Sequence, residues 1–196
     1  MKRILITILL VLESMAVINA QFTKIGGGVA YTTGFHFNNE KPIQEADLFK
    51  SPVLGLFITG IYEIKLPIRI APSFTYFIPR TNTVTIPPNT EKTRVPSMMF
   101  DLNGHFVFSS PDRFEFYGLA GIDILFTSLK SAGTSPREHD NALGLNLGVG
   151  SYMKIAQQFD LFLEAKYLVS RYGQFMANAG ILVSIQYITK HKKEPI

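Results

Sequence analysis

Eight times between Lys24 and Tyr187 the chain alternates apolar residues with small or polar ones, each time over a run long enough for a strand. A period of two marks a β-strand with two different faces. The first run is Lys24 to Phe35, with Ile25, Val29, Tyr31 and Phe35 opposite Gly26, Gly28, Ala30 and Gly34. Val53 to Ile64 sets Leu54, Leu56, Ile58 and Tyr62 on one face, and Ile68 to Ile78 opposes Ile70, Phe74 and Tyr76 to Arg69, Ala71 and Ser73. Met98 to Phe108, Phe114 to Phe126, Leu143 to Met153, Phe159 to Leu168 and Ala177 to Tyr187 repeat the pattern. Phe57, Ile61 and Phe162 break it by falling on the polar face. Pro72 lies inside the third run and removes one ladder donor, so a bulge or local distortion is expected there.

The connections alternate too. Short links at Lys65–Pro67, Ser109–Arg113 and Lys154–Gln158 separate long ones at His36–Pro52, Pro79–Ser97, Thr127–Ala142 and Val169–Met176. Outer-membrane barrels have this arrangement, with short periplasmic turns and longer external loops. An even number of strands returns both termini to the periplasmic side.

The first 20 residues read differently. Lys2 and Arg3 precede an apolar run from Ile4 to Val11, and Ala20 offers a small residue for cleavage. That order is a secretory signal peptide. The run is too short for a spanning helix, and Glu13 interrupts it. Residues 1–20 are therefore assigned to a signal peptide, 21–187 to one barrel domain and 188–196 to a basic periplasmic tail. Removing two positive charges and one negative lowers the net charge from +4 to +3. The remaining basic residues are scattered, which argues against a nucleic-acid partner. With no Cys in 196 residues, disulfide frameworks and thiol chemistry are excluded.

No later segment offers the long apolar run that a membrane helix needs, so a membrane-spanning mature chain must cross as strands. The second face is dominated by Gly, Ala, Ser, Thr and Asn rather than by Lys and Glu. A water-facing surface carries more charge, whereas small groups suit the lumen of an eight-stranded barrel. Aromatics gather toward the ends of the runs, as interfacial girdles require. The expected fold is all-β: an eight-stranded antiparallel up-and-down transmembrane β-barrel with outer-membrane lipid as its surroundings.

Parity then places Glu63, Arg69, Asp101, His105, Glu115, Asp123, Glu164 and Lys166 in the lumen as a polar network. Charges there must be paired, since an isolated buried ion costs several kcal/mol. The turn at Lys65–Pro67 should set Glu63 opposite Arg69, and similar registers bring His105 near Tyr117 and Asn146 near Lys166. His105 followed by Ser109 invites a hydrolase reading. Those residues lie over about 10 Å apart along a strand, too far for a nucleophile–base hydrogen bond. No catalytic, cofactor or metal site is assigned.

The mature chain resembles small bacterial outer-membrane β-barrel proteins, the porin-like family typical of Bacteroidetes and similar to the OmpX and OmpA barrels. The last run carries the most specific part: Asn178, Gly180, Val183, Ile185 and Tyr187 match a terminal strand of polar residue, glycine, alternating apolar residues and aromatic. The resemblance implies that the barrel-assembly machinery recognises this strand during biogenesis. The extension Ile188 to Ile196 departs from it. The expected function is non-enzymatic: envelope structure, adhesion or surface recognition of an unidentified external ligand through the long loops, with a narrow pore for small solutes or ions as the alternative and a lipid A-modifying enzyme ranked behind both. A soluble lipocalin-like carrier would need the two faces reversed.

Overall fold

The computed structural model describes residues 22–33, 52–86, 89–131, 138–170 and 173–185. The expected signal peptide, the basic tail, Phe35 and Tyr187 lie outside the described residues. Eight strands follow one another: β1 (Phe22–Thr32), β2 (Val53–Lys65), β3 (Ile68–Ile86), β4 (Asn89–Ser109), β5 (Phe114–Ser131), β6 (Glu138–Lys154), β7 (Phe159–Ser170) and β8 (Gln174–Ser184). Each pairs antiparallel with the next, and β1 pairs with β8 to close the barrel. Closure leaves no sheet edge, so every strand finds ladder partners on both sides.

The apolar rows face outward. Leu143 is 70% exposed, Ile58 63% and Phe108 61%. On the opposite face Tyr117 and Met99 are fully buried. This polarity excludes the lipocalin-like alternative, in which the same rows would be inside. Phe22, Phe106, Phe108, Phe114, Phe116 and Phe159 form an exposed aromatic girdle near the short turns, while Tyr31, Tyr76, Tyr167 and Phe175 form another near the far ends. The second girdle is mostly Tyr, whose hydroxyl suits the polar headgroup level.

Phe57, Ile61 and Phe162, the three departures from alternation, are buried inside the barrel. They are core residues of the lumen, where Phe57 and Phe162 pack with ring centroids 5.7 Å apart. Of the bulge or local distortion expected at Pro72, only the distortion is found, and it falls on the β2 side. Pro72 pairs with Leu102 of β4 in unbroken register. On the β2 side the pairing steps from Thr59↔Ser73 to Tyr62↔Ile70 with no shift, so the ladder is interrupted without inserting a residue. The Thr59 hydroxyl donates to the Pro72 carbonyl at 3.1 Å, a side-chain link beside the interruption.

The external connections differ most from expectation. Pro79–Ser97 is not a long loop, because β3 and β4 continue as a paired hairpin as far as Ile86↔Asn89. β5 and β6 likewise extend into the expected loop Thr127–Ala142, and β8 begins at Gln174 inside the expected loop Val169–Met176. A residue is added in β3 between Phe77 and Arg80, where the register with β4 shifts. β3 to β6 contain 19, 21, 18 and 17 residues, against 11 to 13 for the other strands. A tilted transmembrane strand needs about 9–11 residues. One wall of the barrel therefore rises well beyond the bilayer on the external side.

The seam between the first and last strands is tight. Gly28 sits opposite Gly180, and a Cβ on Gly28 would collide with the Ala179 carbonyl oxygen and the Gly180 backbone. These are backbone atoms, which cannot swing aside. Gly118, by contrast, has open space within 4 Å of an added Cβ. Gly28→Val should cost at least the ~1–3 kcal/mol of core overpacking and reduce the fraction of heat-modifiable, fast-migrating barrel on gels. Gly118→Val should leave that fraction unchanged.

Candidate functional site

Strand parity delivers polar side chains from β2 to β8 into a narrow lumen, and most of the charges among them meet a partner of opposite sign. Toward the periplasmic end, the Arg69 guanidinium donates to Glu115 and lies 3.7 Å from Glu63 Oε2. Glu63 pairs with Arg69 across the β2–β3 turn. Lys24 of β1 bridges to Asp160 of β7 beside them. Sequence reading did not single out this pair, although Lys24 shares the inward parity of Gly26 and Gly28.

Above these ions lies a column of rings. His105 stacks on Tyr117 at 4.3 Å, Tyr117 on Tyr152 at 4.6 Å, and Tyr152 on Phe162 at 5.8 Å. Arg69 lies over the Tyr152 ring at 5.6 Å, a cation–π placement that also desolvates its guanidinium. His105 Nδ1 and the Tyr152 hydroxyl are 2.7 Å apart. Tyr152 had no place in the expected network; its alternation with Gly148 and Gly150 carried that signal.

The next layer holds the most buried ion. Lys166, 1% exposed, places Nζ 3.2 Å from Asp101 Oδ2 and 3.5 Å from Glu164 Oε1. Ser73 donates to Asp101 at 2.9 Å, and Asn146 donates to Asp101 and to Asn103, each at 2.9 Å. Tyr117 and Asn178 donate to Glu164 at 3.3 Å and 3.2 Å. Asn146 and Lys166 thus meet on Asp101. Asp123 faces Asp101 in register across β4 and β5, and its Oδ2 has no hydrogen-bond partner among the described residues.

Toward the external ends the filling turns apolar. Val53, Phe77, Met99, Leu125, Leu168 and Met176 are all buried. Thr32 donates to Gln174 at 2.6 Å among them. Within the network, the cavity beside Phe57, His105, Phe162 and Glu164 offers about 10 Å³ to the centre of a water, room for roughly one molecule.

His105 is held by tyrosines, whereas Ser109 is exposed at the periplasmic end of β4. They do not form a nucleophile–base pair. Among the described residues no three His, Asp or Glu side chains converge at metal-ligand spacing. Of the terminal-strand motif, Asn178 points inward to Glu164 and Gly180 abuts the seam. Val183 pairs with Ile25 of β1 and Phe159 of β7.

The chemistry of this lumen is mutual neutralisation. Lys166→Met should leave Asp101 and Glu164 buried without their cation and destabilise the barrel by about 3–5 kcal/mol. The triple change Lys166→Met, Asp101→Asn, Glu164→Gln should recover much of that loss. Urea unfolding followed by far-ultraviolet circular dichroism would show it, the chain having no Trp for fluorescence.

Residues 5–187 match the family model described as outer membrane protein beta-barrel domain. No curated protein sequence matches the chain. Among solved structures, neisserial surface protein A is similar in fold at a TM-score of 0.56 and 16% identity, covering 85% of this chain and 99% of that one. Ail, the attachment invasion locus protein of Yersinia pestis, gives 0.54 at 17% identity over 82% and 97%. The N-terminal β-barrel domain of Pseudomonas aeruginosa OprF gives 0.53 at 13% over 84% and 98%. These likenesses speak for the fold, and the family match, which spans all eight strands, speaks for kinship: the chain belongs to the outer membrane protein β-barrel domain family and resides in the outer membrane.

Proposed function

We propose that this protein is a non-enzymatic surface-recognition barrel whose working part is the external wall built by β3 to β6. The observation that carries the reading is the asymmetry between a filled lumen and an overgrown exterior. Ionic, aromatic and apolar layers occupy the interior in turn, which supports a plug rather than a path. The strands that exceed the bilayer all lie on one side of the circumference, as a presented surface does, and loops and hairpins of this kind are where barrels carry recognition. Ail, similar in fold, has been solved in complex with the heparin analogue sucrose octasulfate. By that analogy the ligand class here is an anionic glycan outside the cell. Outer-membrane lipid surrounds the barrel, and the barrel-assembly machinery would engage β8 during biogenesis.

The test is binding to immobilised sulfated and neutral glycans by the barrel in detergent. Replacing residues 81–94 with a two-residue Asn-Gly turn should abolish retention on sulfated glycans while heat-modifiable mobility persists. Retention unaffected by that shortening would sink the proposal, as would no retention of the unaltered protein. Planar-bilayer recordings in concentrated potassium chloride should show no stepwise conductance; stable open-pore steps would favour solute passage instead.

A further inference from the structure

Two buried side chains of the lumen each keep one polar end without a partner. His105 Nε2 and Asn178 Oδ1 have no hydrogen-bond partner among the described residues, on side chains only 2% and 6% exposed. Both residues line the same small cavity, together with Glu164. Phe57, Phe162 and Ala71 supply its apolar walls. A polar pocket of this size holds a water when two to four polar groups are there to bind it.

The bonds already made settle which ends are free. Asn178 donates through Nδ2 to Glu164 Oε1 at 3.2 Å, so its oxygen is the end left over. His105 Nδ1 is engaged with the Tyr152 hydroxyl at 2.7 Å, so Nε2 is the nitrogen left over. His105 Nε2 and Glu164 Oε2 stand 3.8 Å apart. That is too far for a hydrogen bond, but it lets one small molecule touch both atoms. The carboxylate has room for such a contact. When ionised it offers about four acceptor sites. Oε1 is used by Asn178 and by Lys166 at 3.5 Å, and Oε2 by Tyr117 at 3.3 Å. One site on Oε2 remains.

We infer that this cavity is a binding site for a single internal water held by His105, Asn178 and Glu164. The hydrogen count fixes the His105 tautomer as well. Water has two hydrogens, and a bare Nε2 would make three acceptors compete for them. With the ring proton on Nε2, His105 donates to the water, and the water donates to Asn178 Oδ1 and Glu164 Oε2. The Tyr152 hydroxyl then donates to His105 Nδ1. Three bonds are the usual complement of a buried water, and both leftover ends are satisfied. The site also changes how the last strand is held. The side-chain bonds of β8, Asn178 to Glu164 and Gln174 with Thr32, reach its neighbours β7 and β1. The water joins β8 to β4 across the lumen.

The test is nuclear magnetic resonance of the protein in detergent micelles, with nitrogen-15 histidine and assigned backbone signals. The shifts of the two ring nitrogens should place the His105 proton on Nε2. That proton should give a dipolar rotating-frame cross-peak to the water resonance. Ala71→Val adds two carbons to the cavity wall. There the cross-peak should vanish, and oxygen-17 relaxation dispersion should count one long-lived water fewer. Gly118→Val, where an added side chain has open space, should keep both signals. The tyrosine hydroxyls are unchanged in either variant, so a cross-peak relayed through them would survive Ala71→Val. Such survival would overturn the inference, as would a ring proton on Nδ1, protons on both nitrogens, or no water contact at His105. If Ala71→Val does not fold, the tautomer and the cross-peak of the unaltered protein decide alone.

Discussion

Hydrocarbon offers a peptide group nothing to bond to. A strand placed in it must have partners on both flanks along its whole length, because each unsatisfied amide or carbonyl costs several kcal/mol. The pairing of β1 with β8 is therefore the condition under which the other seven interfaces can exist in a membrane. It also explains the glycines at the seam. Closing only eight strands curves the sheet hard, and Gly28 opposite Gly180 lets the backbones come together where side chains would collide.

Closure creates a second problem, since a narrow cylinder has an interior that must be filled without water. Ladder hydrogen bonds tie each strand only to its neighbours. The lumen network ties strands that are not neighbours: Arg69 of β3 to Glu115 of β5, His105 of β4 to Tyr152 of β6, Tyr117 of β5 to Glu164 of β7, and Asp101 of β4 to Lys166 of β7. A one-residue slip in any ladder would turn the inward charges toward lipid, where a Lys or Arg costs ~2–4 kcal/mol at the midplane. The buried ions thus contribute less as net attraction than as a penalty on every other register. The aromatic column adds filling that a purely ionic core would lack, which accounts for Tyr117 and Tyr152 being so completely enclosed.

Much of this was legible in the sequence because, inside a bilayer, the two sides of a strand meet opposite environments. Alternation in β2, β4, β5 and β6 gave the outward rows directly. Phe57, Ile61 and Phe162 break the alternation only if the inner face must be polar, whereas a small lumen also accepts rings and branched chains. Residues 79–97 were expected to be loop for a related reason. Thr, Asn, Val, Lys and Glu alternate there without a hydrophobic period, since above the membrane neither face of a hairpin meets lipid. The signal that distinguishes strand from loop vanishes at the height where lipid ends. The β-branched threonines and valines were the remaining hint. At Pro72 the sequence did reveal a missing donor, but one ladder side can lapse without inserting a residue.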